Sequence, residues 1–463
     1  MKIKHPLVLA ACFAAGLSLA LPSAANAQMC DTPYETISTV KLPTYGFPTV
    51  WDADYGADNK MVQFASGIQM DQGTILAYGR KLEEGSNKPL ETGLVELNRR
   101  GRTMVEQFYP AKEGEEPVAL VRLGDKADRF VGISNFRSGK GNVFKHVRLS
   151  WYDRQGAYKK DMQISDPAYD YQAEGMIKAP DGDGFTTVIH AVSRKDPTDQ
   201  YGVLIRYTAE GKQVWKRAYR PGVNNALHGL TVTDDKAYLA TGKIIMDDGR
   251  MAGWILKLGY DGTILWQRTY PRGKFSELRA GAMSPRKTGD KTSFFLVAGS
   301  AEPSDNKPNA AWVMEVDPRG EPSWQRYYRR NDFALGGRAV MSYPDGRIVT
   351  VINARKVTDD KNNSDHIRIM TLSPRGNVIN DESYLNGLAA YAVQADKSRT
   401  SEDVVVVGTV LKEQKEDTTL FGPAKPVPEG VPPPKEPPLQ EGWVMVTPGL
   451  DSYTDPCIRR AWQ

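Results

Sequence analysis

Glu174, His228, Arg279, Arg338 and Arg122 are the residues whose types could act together on a ligand: one carboxylate, one imidazole and three guanidinium groups. Most stand in short phrases that align with one another: Ser66-Gly67, Glu174-Gly175, His228-Gly229, Ala280-Gly281 and Gly337-Arg338. Charged groups that converge in a concavity are the usual form of a binding or catalytic site. The plainer alternative is a hydrated ring of mixed charge with no ligand. Either way these residues lie far apart in the chain, so only an architecture that gathers equivalent positions round one axis can bring them together.

Other chemistry finds little support in the residues. The chain has no G-x-S-x-G elbow, no phosphate-binding P-loop, no H-E-x-x-H and no C-x-x-C-H. His146, His190, His228 and His366 fall in different units, without metal-ligand spacing. The segment Asp52-Ala53-Asp54-Tyr55-Gly56-Ala57-Asp58 alternates carboxylates with a glycine, faintly like a calcium loop, but it lacks the bidentate Glu such a loop needs. It reads better as a solvated loop. Asp181-Gly182-Asp183-Gly184 reads as a hairpin turn.

The elements that would position the charged residues are set by a repeat. A Trp is followed two residues on by Arg, and two further by Tyr: Trp215-Arg217-Tyr219, Trp266-Arg268-Tyr270 and Trp324-Arg326-Tyr328. Each copy follows a turn glycine, and Gly101, Gly156, Gly211, Gly262, Gly320 and Gly376 recur at intervals of 51–58 residues. An apolar run precedes each turn, and two more strand-like runs lie upstream, clearest at 226–233 and 237–245. Four strands per unit of this length describe a propeller blade. Period-two alternation puts Trp, Arg and Tyr on one face of the outermost strand, so these nine residues are expected to staple neighbouring blades through ring packing and stacked guanidinium groups. An aromatic ligand cage is the rival reading.

Six units run from about residue 62 to 384, and a seventh has strands near 389–394, 404–410 and 443–446. Its fourth strand is missing at the C-terminal side, while a lone strand-like run stands at 35–42. The expected fold is therefore an all-β, seven-bladed β-propeller closed by that N-terminal strand, an arrangement that hides sheet edges. In such a propeller the innermost strands line a central channel, and Glu174, His228, Arg279, Arg338 and Arg122 would gather at its mouth. Residues 412–441, charged and proline-dense, are expected to form an extended loop inserted between two strands of the last blade, as a spacer or a docking segment for a partner.

The ends point to export. A basic start, an apolar stretch over 7–21 and Ala25-Asn26-Ala27 describe a cleavable leader, residues 1–27, ahead of a single propeller domain over 28–463. A lipoprotein-like box ending at Cys12 is a competing reading, weakened by the apolar residues that continue past it. The remaining cysteines, Cys30 and Cys457, are expected to form one disulfide in a periplasmic or secreted protein, closing head to tail; two free thiols are the alternative. Lys and Arg number 60 against 56 Asp and Glu, a net charge of +4, which gives no reason to expect nucleic acid or an anionic membrane as partner. No stretch beyond the leader is long enough to span a bilayer.

The phrases Tyr207-Thr208-Ala209-Glu210-Gly211-Lys212-Gln213-Val214-Trp215 and Tyr260-Asp261-Gly262-Thr263-Ile264-Leu265-Trp266 resemble the repeat of the quinoprotein-like propellers, over roughly residues 35–450. That superfamily includes pyrroloquinoline-quinone (PQQ) dehydrogenases and non-enzymatic periplasmic scaffolds of outer-membrane assembly. The dehydrogenases resemble eight-bladed wheels and often stack adjacent cysteines on the quinone; here seven blades are expected and no adjacent cysteines occur. The resemblance thus implies the non-enzymatic branch, with no PQQ or calcium expected, and an envelope or periplasmic protein as partner. The alternatives are an enzyme at the channel mouth (quinone-dependent dehydrogenase, lyase or hydrolase) and a propeller that binds cell-wall glycan.

Overall fold

The structure, a computed structural model, describes residues 33–448 apart from 46–48, 57–60, 84–87, 125–128, 138–145, 290–291, 303–306, 359–363 and 414–437. The leader, Cys30, Cys457 and nearly all of the proline-dense segment lie outside the described residues.

Seven sheets follow one another along the chain, and no helix occurs among the described residues. Their innermost strands are Met61–Gln69, Glu116–Leu123, Tyr169–Lys178, Asn225–Val232, Ser276–Lys287, Phe333–Ser342 and Ala389–Lys397. Each contacts the next, and the last contacts the first, so the sheets close into a ring. This is the seven-bladed β-propeller expected from the repeat.

The turns between third and fourth strands show why the glycines recur. Gly101, Gly156, Gly211, Gly262, Gly320 and Gly376 all adopt φ between 75° and 93°, a left-handed conformation costly for other residues. Each turn also receives side chains from the preceding blade. A Cβ on Gly376 would lie 2.8 Å from the Trp324 ring, and one on Gly320 2.8 Å from the Trp266 ring. The tyrosine of each phrase donates to the turn's carbonyl oxygen: Tyr219 to Gly262 at 2.8 Å, Tyr270 to Gly320 at 2.7 Å and Tyr328 to Gly376 at 2.6 Å. Trp266 Nε1 donates to Pro318 O at 2.8 Å. Arg217 and Arg268 reach backbone carbonyls of the same turns, at Asp261 and Arg319, both at 3.4 Å, while the Arg326 guanidinium stacks on its own Trp324 ring. The aromatic phrase is thus a clamp between blades, and its rings are not assembled into a cage.

Burial follows the same logic. The apolar core among the described residues divides into seven clusters, one at each interface between neighbouring blades. Both faces of each sheet are covered, so second and third strands such as Ser293–Ala301 and Ala310–Val316 are buried throughout.

Closure differs from expectation in one respect. Trp51–Tyr55, not the run at 35–42, pairs antiparallel with Leu439–Thr447 and completes the seventh blade. Glu35–Thr39 instead adds a fifth strand, parallel, to the outer edge of the fifth blade, along Pro322–Arg329. Between these two strands the chain crosses the sixth blade: Arg368, fully buried, pairs with Asp381 through two hydrogen bonds at 2.9 Å, and the pair holds the backbone of Lys41 at both its N–H and its carbonyl. The N-terminal segment is therefore a strap over three blades. The physical reason is a tertiary fit: Trp51 and Ala53 pack against the Gly101 turn of the first blade.

Asp52 and Asp54 consequently sit on one face of a strand. Asp52 accepts from Trp443 Nε1 at 3.2 Å, and Asp54 accepts from Asn386 and Lys412. These carboxylates serve the closure of the ring; the solvated loop expected over 52–58 is a strand as far as Tyr55, and Ala57 and Asp58 lie outside the described residues.

Candidate site at the central channel

Every innermost strand carries a β-bulge at the equivalent place. A bulge leaves one residue unpaired and re-aims its side chain. The seven unpaired residues, in blade order, are Ala65, Val118, Glu174, His228, Arg279, Arg338 and Val393. Four neighbouring blades thus present ionisable side chains at one level of the ring, and the other three present apolar ones. Val393 is 45 % exposed although it lies on an innermost strand, which marks solvent inside the ring.

The polar arc is cross-linked. His228 Nδ1 lies 3.2 Å from Glu174 Oε2, and its Nε2 lies 3.8 Å from Glu277 Oε2. That Nε2 is buried and makes no hydrogen bond among the described residues. Arg279 grips Glu277 with a two-pronged bond, Nε to Oε1 at 2.7 Å and Nη2 to Oε2 at 3.1 Å. Burial would raise the Glu174 carboxyl, but the hydrogen bond from His228 and the positive potential of His228, His190 and Arg279 outweigh it and hold the group below its ordinary value. Burial pushes the nearby His190 imidazole down, against the pull of Glu174. Arg338 makes no hydrogen bond or ion pair among the described residues. Although the side chain keeps solvent-accessible surface, the crowded channel wall partly desolvates it and, with repulsion from Arg279, lowers its pKa, while Glu277 and Glu174 pull the other way.

The backbone at this level is crowded. A Cβ on Gly229 would meet Arg279 O at 2.3 Å, and one on Gly337 would meet the backbone of Gly299 at 3.0 Å. A glycine next to the bulge, after it at Gly229 and before it at Gly337, lets neighbouring blades approach.

Of the five residues singled out in the sequence, Glu174, His228, Arg279 and Arg338 therefore occupy matching positions. Arg122 does not. The bulge residue of its strand is Val118, and Arg122 lies four positions further on, paired with Asp71 at 2.9 Å. Glu277 was missed, and the sequence signal for it was its place two residues before Arg279 on an alternating strand. Among the described residues no group of three or more His, Cys, Asp and Glu is arranged to hold a metal ion. A carboxylate beside an imidazole can move protons, and an arginine without a partner can hold an anion.

No family model matches the chain, and no curated protein matches it. Similar solved structures include a protein of unknown function from Dyadobacter fermentans (12 % identity, 87 % of this chain and 99 % of that one, TM-score 0.42). Sqt1 from Chaetomium thermophilum is another (10 % identity, 87 % and 99 %, TM-score 0.45), and the endosialidase of phage phi92 a third (9 % identity, 87 % and 70 %, TM-score 0.43). Likenesses at these identities concern the fold alone and say nothing of what the channel binds.

Proposed function

We propose that this chain is a non-enzymatic binding module of the quinoprotein-like type, exported to the periplasm or beyond, with its ligand site at the central channel. The observation that carries the reading is the ring of bulges, which sets four ionisable residues of consecutive blades at one level of the ring. Within that arc Glu174 is held by His228 and Glu277 by Arg279, so the charged groups are fixed in place before any ligand arrives. Such preorganisation favours recognition. The leader-like N-terminus supports export.

The test is direct binding of candidate envelope ligands, including cell-wall glycans, to the full chain and to a Glu174→Ala/Arg338→Ala double variant. The double variant should lose binding; retention of the parent's affinity would remove the channel from consideration.

A second reading, a scaffold for an envelope protein, draws on the outermost strands. Met104, Val214, Ile264, Leu265, Val378 and Ile379 are exposed at the starts of these strands in blades one, three, four and six. Co-purification of a stable partner from the envelope would favour that role, and a lone monomer in every pull-down would count against it.

A further inference from the structure

The composition of the ring is two-sided, and Arg338 stands where the sides meet. Going round the channel, Glu174, His228 and Arg279 come before it, and Val393, Ala65 and Val118 come after it. The other charged groups of the arc have each other. Glu174 is committed to His228 at 3.2 Å, and Glu277 to Arg279 at 2.7 and 3.1 Å. Arg338 alone of the four ionisable bulge residues has neither a hydrogen bond nor an ion pair among the described residues, and its side chain is exposed to the channel solvent. A guanidinium group stays charged under all ordinary conditions and offers a planar fork of donors that fits a carboxylate or a phosphate.

The opposite arc asks for something different. Val393 is 45 % exposed, and Ala65 and Val118 are half-buried, on consecutive blades adjoining that of Arg338. Exposed apolar surface inside a concavity gains from an apolar occupant, at about 25 cal/mol for each Å² covered. Neither a free inorganic anion nor a neutral sugar would satisfy both arcs.

We infer that the channel takes a small organic anion with an apolar body, its head on Arg338 and its hydrocarbon along Val393, Ala65 and Val118. The inference rests on the channel being a ligand site, as proposed above, and adds the class of ligand. A carboxylate and a phosphate monoester share the required head chemistry.

Calorimetric titration of the full chain with octanoate, octyl phosphate, acetate, octylammonium and a neutral cell-wall oligosaccharide tests it. Octanoate or octyl phosphate should bind at least tenfold more tightly than acetate or octylammonium, and the tighter of the two identifies the head. Arg338→Gln, at an exposed position, should keep the parent's circular dichroism and lose at least tenfold in affinity. Val393→Ser should weaken octanoate and octyl phosphate but leave acetate unchanged. Equal binding of octylammonium, or undiminished affinity in Arg338→Gln, overturns the inference. If octylammonium or the oligosaccharide binds and neither anion does, the ligand class is wrong while the binding-module reading stands. If no probe binds, both fall.

Discussion

The phenolic hydroxyl of Tyr328 donates to the carbonyl oxygen of Gly376 at 2.6 Å, across the boundary between the fifth and sixth blades. Tyr219 and Gly262, and Tyr270 and Gly320, repeat the bond at the two preceding boundaries. Both partners at Tyr328 are buried, so a missing hydroxyl leaves an acceptor with no water to replace it. Tyr328→Phe should cost about 1–2 kcal/mol. Gly376→Ala should cost more, because it adds left-handed strain at φ +77° to a Cβ only 2.6 Å from Arg326 Cγ. Urea unfolding of the two variants checks the order; equal midpoints would contradict it.

The strap over the sixth blade hangs on Asp381. Removing its carboxylate leaves the buried Arg368 guanidinium without its counter-charge and frees the backbone N–H of Lys41. Asp381→Ala should destabilise the fold by about 3–5 kcal/mol. Asp381→Ala/Arg368→Met should recover part of that loss, and chemical denaturation of the single and double variants separates lost charge pairing from lost packing.

His366 is fully buried, and burial holds its imidazole down to about 4. The ring meets Phe333 edge-on and Arg368 approaches its Nε2 at 3.5 Å, which suits the neutral form, while the contact of its Nδ1 with Ser364 O at 2.9 Å pulls the other way and is outweighed by burial. The folded pKa lies below the unfolded value of about 6.5. The unfolded chain therefore takes up a proton first as pH falls. The contribution of His366 is complete above about pH 6.5 and is lost as pH drops toward 4, by about 3 kcal/mol at most. Unfolding free energies measured across that window should fall with pH, and His366→Gln should flatten the slope. An unchanged slope would show that other groups govern it.

Deleting residues through 45 should leave a folded ring with the outer edge of the fifth blade bare. Such an edge templates pairing with another chain, so this variant should self-associate in light scattering. Deleting through 56 also removes the strand that completes the seventh blade, and should abolish a single cooperative transition in calorimetry. Similar behaviour of the two truncations would mean that the strap does not seal that edge.

The blades were legible because their most constrained residues are local. A left-handed glycine followed by Trp, Arg and Tyr marks one turn and one strand, and each copy reports itself. The closing strand was not legible. Both 35–39 and 51–55 alternate with period two, and only the fit of Trp51 to the distant Gly101 turn decides which one closes the ring. The site was half legible. Charged residues beside aligned glycines led to Glu174, His228, Arg279 and Arg338, but a bulge is a matter of register between two strands, which one strand's sequence does not carry. Val118 was therefore passed over for Arg122, four positions further on, and Glu277 stayed hidden behind Arg279.

Trp51–Tyr55 is made before any innermost strand of the ring, yet its partner Leu439–Thr447 is made only after six blades are complete. A growing chain that has not yet reached Leu439–Thr447 cannot close the wheel, however many blades have formed. Contacts so remote along the chain are slow to find, so ring closure should be the late and rate-limiting event of maturation, and the interval before it the time when a bare seventh blade is open to capture by a chaperone or by another copy.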